Sequence, residues 1–141
     1  MVPERELFEP SSPLARLLEA TGPHSDLIAA ARDLAARLSD DEKVATLNAH
    51  PRIGERADRM SALSRAEQEA LGPDVASELE ELNEEYERKF GFRFVVFVNR
   101  RPRPEVALEM RARLKRGRDE ELAEGLRAVV DIAEDRLRRR R

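Results

Sequence analysis

The sequence contains no cysteine. That excludes a disulfide framework, a thiolate metal site and a cysteine nucleophile, and it makes a reducing cytoplasm the simplest compartment. Histidine is scarce as well, with 2 in the chain, His24 and His50. Zinc draws about three or four nitrogen or sulfur ligands, so no metal is expected, and no EF-hand spacing is present. No apolar run approaches the ~20 residues of a membrane span, and the opening MVPERELFEP lacks the apolar core of a signal peptide. Walker A, GxGxxG and GxSxG motifs are missing, which argues against nucleotide binding and serine-hydrolase chemistry. Nor is there an excess of one charge: Lys+Arg 26 against Asp+Glu 29 leaves -3, with the signs interspersed as on a solvated helical surface. Neither a membrane nor a nucleic-acid partner is expected, and residues 138–141, all arginine, read as a frayed, soluble tail.

What is present reads as one all-α domain over residues 1–141, with six or seven helices and loosely ordered tails at 1–11 and 138–141. Its length allows a core that buries roughly two-thirds of the unfolded chain's surface. Ser12-Pro13 opens a short helix carrying Leu14, Leu17 and Leu18, which Gly22-Pro23 breaks. From Ser25 or Asp26 a second helix places Leu27, Ala31, Leu34 and Leu38 at helical spacing. Ser39 and Glu42 form a capping box for a third, with Val44 and Leu47 directed to the core. The longest amphipathic pattern runs through Val75, Leu79, Leu82, Tyr86 and Phe90 and closes at Gly91, a left-handed cap. Pro104 opens a helix with Val106, Leu108, Met110 and Leu114, and Asp119 caps the last one, with Leu122, Leu126, Val129, Val130, Ala133 and Leu137.

Residues 92–99, FRFVVFVN, read alone as a strand. The chain holds no second strand to pair with it, so the expectation is an extended segment packed among helices. Its unpaired backbone groups would then be able to grip a ureido or amide ligand.

The chemistry centres on residues 50–68. Pro51 disfavours helical geometry at His50, so the third helix ends there and leaves the imidazole at a helix-to-loop corner. Residual carbonyl charge at that helix end favours the protonated ring. Ser64 and Glu67 form a second S-x-x-E box, which explains Glu67 as a helix cap. A capping carboxylate held in place can also transfer protons with a nearby imidazole, without metal or cofactor. His24, in a linker, is the weaker candidate.

Taken in order, the HPRIG turn, SRAEQ, LNEEYERKFGFRFV and the closing DRL resemble the 2-oxo-4-hydroxy-4-carboxy-5-ureidoimidazoline (OHCU) decarboxylase family. The resemblance runs from about Leu14 to Leu137. It implies an all-α, homodimeric, cofactor-free carbon-carbon lyase catalysing the last step from urate to (S)-allantoin. It also implies that His50 is the catalytic histidine and Glu67 its partner carboxylate, with Ser64 and Gln68 touching the ligand and Pro51 orienting the histidine turn. Arg136 would hold the substrate. Residues 92–98 would bind it through their backbone, with Phe94, Val95, Val96, Phe97 and Val98 as an apolar wall. Arg52-Ile53 departs from the acidic-leucine pair that often follows histidine-proline, and Lys115-Arg116-Gly117 replaces an asparagine after Arg113-Leu114. The competing readings are a helical module binding protein or nucleic acid through its basic end, and an enzyme of the same fold acting on a related ureido compound.

Overall fold

In the computed structural model, residues 7–53 and 76–139 are described. They form six helices: α1 (Pro13–Thr21), α2 (Leu27–Arg37), α3 (Asp40–Asn48), α4 (Ala76–Phe90), α5 (Arg103–Arg113) and α6 (Arg118–Arg139). Among the described residues there is no strand, as an all-α chain requires. None of these helices is long and apolar enough to cross a membrane.

Polar side chains start the first three helices. The Ser12 hydroxyl accepts from Ala15 N at 3.1 Å, ahead of Pro13, and Asp26 Oδ1 accepts from Ala29 N at 3.1 Å. Ser39 and Glu42 make both bonds of the capping box, at 3.2 and 2.9 Å. Each bond satisfies an N–H that the helix leaves unpaired. Gly91, at φ 83, ends α4 in the left-handed region.

Two boundaries differ from expectation. α5 opens at Arg103, so Pro104 sits inside the first turn. α6 opens at Arg118, so Asp119 lies in the first turn and meets the positive end of the helix dipole instead of capping it. The inward faces are also narrower than the apolar spacing alone implies. Leu27, Leu34 and Val44 are half-buried, and Leu108 is 62% exposed while Val106, Ala107 and Met110 point inward.

α6, 22 residues long, packs on α2 and α3; α1 packs on the same two helices, and α4 packs on α5. Gly125 permits the α6 approach to α3, since a Cβ there would stand 3.0 Å from both terminal methyls of Leu47. Leu7 and Phe8 are buried, and Arg138 and Arg139 continue α6 while pairing with Glu134 at 3.5 Å and Asp135 at 3.0 Å. Those two arginines are engaged with their own helix.

Residues 92–98 run extended through the bundle. Phe92 and Phe94 pack on Tyr86 of α4 with ring centroids 6.1 and 5.2 Å away, both edge-on, and Phe90 lies 4.6 Å from Tyr86. Guanidinium groups stand in for a missing sheet. Arg113 Nη1 donates to Val95 O at 3.1 Å, and Arg101 donates to Phe97 O at 2.8 Å and to Val98 O at 3.0 Å. A tight turn follows, with Asn99 and Arg100 both left-handed and Arg101 N closing it on Val98 O at 3.0 Å.

Arg113 is itself held by a buried carboxylate. Its Nε donates to Glu121 Oε1 at 2.7 Å, the Tyr86 hydroxyl donates to the same oxygen at 2.6 Å, and the guanidinium lies 4.5 Å above the Phe94 ring. Burial, then the bond to Glu121, pushes the Tyr86 hydroxyl above its ordinary pKa. Glu121 has no exposed surface. Removing it leaves buried Arg113 only the longer pair with half-buried Glu109 at 3.6 Å, so Glu121→Ala should cost about 3 kcal/mol in urea unfolding. Replacing Arg113 and Glu121 together by Met and Leu should cost clearly less than the sum of the two single changes, because no unpaired charge is left inside.

Candidate active site

His50 follows the C-cap of α3, where its N–H donates to Leu47 O at 3.1 Å. Proline cannot donate an N–H, so the chain leaves the helix at Pro51. Three contacts fix the corner. Asn83 Nδ2 of α4 donates to Ile53 O at 2.9 Å, and Arg52 forms a two-pronged pair with Glu87 of α4, Nη2 to Oε1 at 2.9 Å and Nε to Oε2 at 2.7 Å. From the other side, Arg93 Nη1 donates to Asn48 O at 2.9 Å and to His50 O at 2.7 Å, while Arg93 N donates to the Asn48 side chain at 2.9 Å. The apolar segment and the histidine corner are thus joined directly. Arg52, a departure from the pattern the sequence resembles, serves as a brace.

The imidazole is buried, at 5% exposure. Burial and then the positive charge of Arg136 push its pKa down to about 3. This overturns the expectation of a protonated ring at a helix end. Desolvation penalises a second charge beside Arg136, and this outweighs the helix-end carbonyls. His50 is neutral. Its Nε2 has no hydrogen-bond partner among the described residues, and neither does Thr46 Oγ1, one helical turn earlier and fully buried. A buried polar atom without a partner is costly and is a mark of a functional position.

Arg136 reaches this neighbourhood from α6. It is 3% exposed, donates through Nη1 to Leu7 O at 3.1 Å, and lies 4.0 Å from the Glu9 carboxylate. The segment before α1 therefore orients the arginine, a role that spacing could not reveal across more than a hundred residues.

Among the other candidates, Pro51 follows His50 and is half-buried, and in the stretch that Arg93 leads Phe94, Val95 and Val96 are buried while Phe97 and Val98 are half-buried. One expectation about them changes. The carbonyls of Val95, Phe97 and Val98 already accept from arginines, so the segment does not offer a row of unpaired acceptors. Ser64, Glu67 and Gln68 lie outside the described residues. His24 is elsewhere, its Nε2 3.1 Å from Leu18 O and 3.2 Å from the Thr21 hydroxyl. A groove of about 350 Å³ between α2, α3 and α6 is lined by Ala35, Lys43, Leu126 and Val130, so it opens near the start of α3 and away from His50 at its end. No group of three or more acidic or histidine side chains is placed to hold a metal ion among the described residues.

Sequence reasoning singled out neither Arg93 nor Thr46. Asn83 was present in the N-x-x-Y spacing, whose meaning is now visible: one helical turn puts Asn83 on the histidine corner and Tyr86 on Glu121.

A family model described as OHCU decarboxylase matches residues 5–138. The chain belongs to the OHCU decarboxylase family. Within that family it is similar to the 2-oxo-4-hydroxy-4-carboxy-5-ureidoimidazoline decarboxylase of Haloferax volcanii, 32% identical over 143 residues that cover 96% of this chain and 84% of that one. It is also 29% identical to a uric acid degradation bifunctional protein of a Bacillus species, of which it spans 28% while 93% of its own length is covered. The fold matches a crystal structure of OHCU decarboxylase in the presence of (S)-allantoin with a TM-score of 0.78, at 23% identity and 96% coverage of both chains.

The neutral imidazole has a consequence for stability in this family member. The unfolded ring takes up a proton below its ordinary pKa of 6.5, whereas the folded ring does so only near 3. His50 therefore adds stability that is fully present above the unfolded value and is lost at about 1.4 kcal/mol per pH unit as pH falls between the two. Urea unfolding of wild type and His50→Asn at pH 7 and pH 5 should show the smaller pH dependence in the variant.

Proposed function

We propose that this chain decarboxylates OHCU to (S)-allantoin without a cofactor, using His50 and Glu67 for proton transfer and Arg136 with backbone N–H groups for substrate binding. The observation that carries the reading is a buried, neutral His50, its Nε2 without a partner among the described residues, beside the buried cation Arg136, in a member of this family. The substrate carries its carboxylate on a carbon next to a C=N group. As CO₂ leaves, the electron pair of the breaking C–C bond flows into that C=N group, so no external electron sink is required.

The protein's share is to orient, dehydrate and move protons. Arg136 fixes the anion, and apolar Phe94, Val95 and Val96 exclude water from the departing carboxylate. Binding also tunes the base. Negative charge arriving against Arg136 cancels part of the field that depresses His50, so the ring gains proton affinity when substrate is in place. His50 and Glu67 then divide removal of the hydroxyl proton and delivery of a proton to C5, which sets the chirality of the product.

The same reading makes the chain a cytoplasmic homodimer. Its cysteine-free composition supports the compartment, and light scattering should give twice 16.1 kDa. Following freshly generated OHCU against its spontaneous decay tests the chemistry. His50→Ala should lower kcat by at least about a hundredfold with its helical circular dichroism intact. Glu67→Gln keeps capping ability, so its loss of turnover would reflect the proton, and Arg136→Lys should raise KM because a point charge replaces a bidentate clamp. Near-normal turnover by His50→Ala would refute the assignment.

A further inference from the structure

We propose that Arg93 is a positioning residue for His50: its guanidinium holds the backbone of the histidine corner, and thereby the imidazole, in register with residues 92–98. The proposal rests on the reading of His50 as a proton-transfer group. The corner needs such a clamp. α3 stops at Asn48; Ala49 N and His50 N still reach Ala45 O and Leu47 O, but Pro51 has no N–H to offer the carbonyls behind it. Arg93 meets that deficit with one nitrogen shared between Asn48 O and His50 O, at 2.9 and 2.7 Å, while its own N–H is taken by Asn48 Oδ1 at 2.9 Å. The bond to His50 O is short and charge-assisted, a class roughly twice as strong as a neutral hydrogen bond.

Position within the chain gives this clamp its meaning. Arg93 directly precedes Phe94 and Val95, and Val95 O is fastened to Arg113, Glu121 and α6. A single side chain thus joins the corner that carries the imidazole to the stretch proposed to bind substrate. Arg93 is half-buried, so its removal does not open a hole in the core. The fault expected is a loosened corner, with the ring free to swing relative to the bound substrate. Misplacement of a reacting group by about 1 Å can cost a hundredfold in rate.

The test is steady-state kinetics on Arg93→Ala, Arg93→Met and Arg93→Lys in the full chain, each with and without His50→Ala. A positioning role predicts kcat lower by about ten- to a hundredfold in Ala and Met, partial recovery in Lys, and KM within about twofold of wild type. In the His50→Ala background, Arg93→Ala should cause no further loss, since there is no ring left to position. The ¹⁵N resonances of the His50 imidazole should shift in Arg93→Met while the melting temperature stays close to wild type. Unchanged kcat, a change confined to KM, or unmoved imidazole resonances would each overturn the proposal. Full turnover by His50→Ala would instead remove the reading beneath it, so the two failures are separable. Should the alanine variant fail to fold, the Met and Lys variants carry the same criteria.

Discussion

An extended segment in a helical protein has backbone groups that no ladder satisfies, and in this chain arginines satisfy them. Arg113 meets Val95 O, Arg101 meets Phe97 O and Val98 O, and Arg93 carries the start of the segment onto the end of α3. Because a guanidinium is a rigid fork with several donors, it can bridge a carbonyl to another element, which a strand partner cannot do. The segment is thereby fastened to α3, α5 and, through Glu121, α6. The order of these elements around the histidine corner follows from those attachments.

The electrostatics of the site grow from the same economy of polar groups. His50 is buried beside Arg136, so its ring does not hold a proton in the resting protein. Arg93 meanwhile occupies Asn48 O and His50 O and so holds the backbone of the corner. Burial and one cation thus shape a neutral base. A site prepared in this way responds to an anion, because the field of Arg136 is the part that a bound carboxylate offsets.

Much of the helical framework was legible in the sequence, since caps and breakers act locally. Ser12-Pro13, Asp26, the Ser39/Glu42 box and Gly91 all lie where their backbone chemistry demands. Boundaries slipped at Pro104 and Asp119, where proline and aspartate are at home both at a cap and in a first turn. The site was legible only in part. Pro51 announced the corner at His50, but the ring's charge state depends on burial and on Arg136, remote in sequence, and neither leaves a local pattern. Arg93 was hidden for a different reason. In a chain with Lys+Arg 26, one more arginine carries no signal until its partners are seen.

Two of the arginines that fasten residues 92–98 also flank its apolar run, Arg93 near its start and Arg101 just after its end, the latter beside Arg100. The enclosed Phe94-Val95-Val96-Phe97-Val98 is rich in β-formers and free of proline, the composition of a cross-β nucleus. While the chain is still unfolded, those same positive charges interrupt the run and oppose its stacking on copies of itself. One set of side chains therefore acts as scaffold once the protein has formed and as gatekeeper before it has.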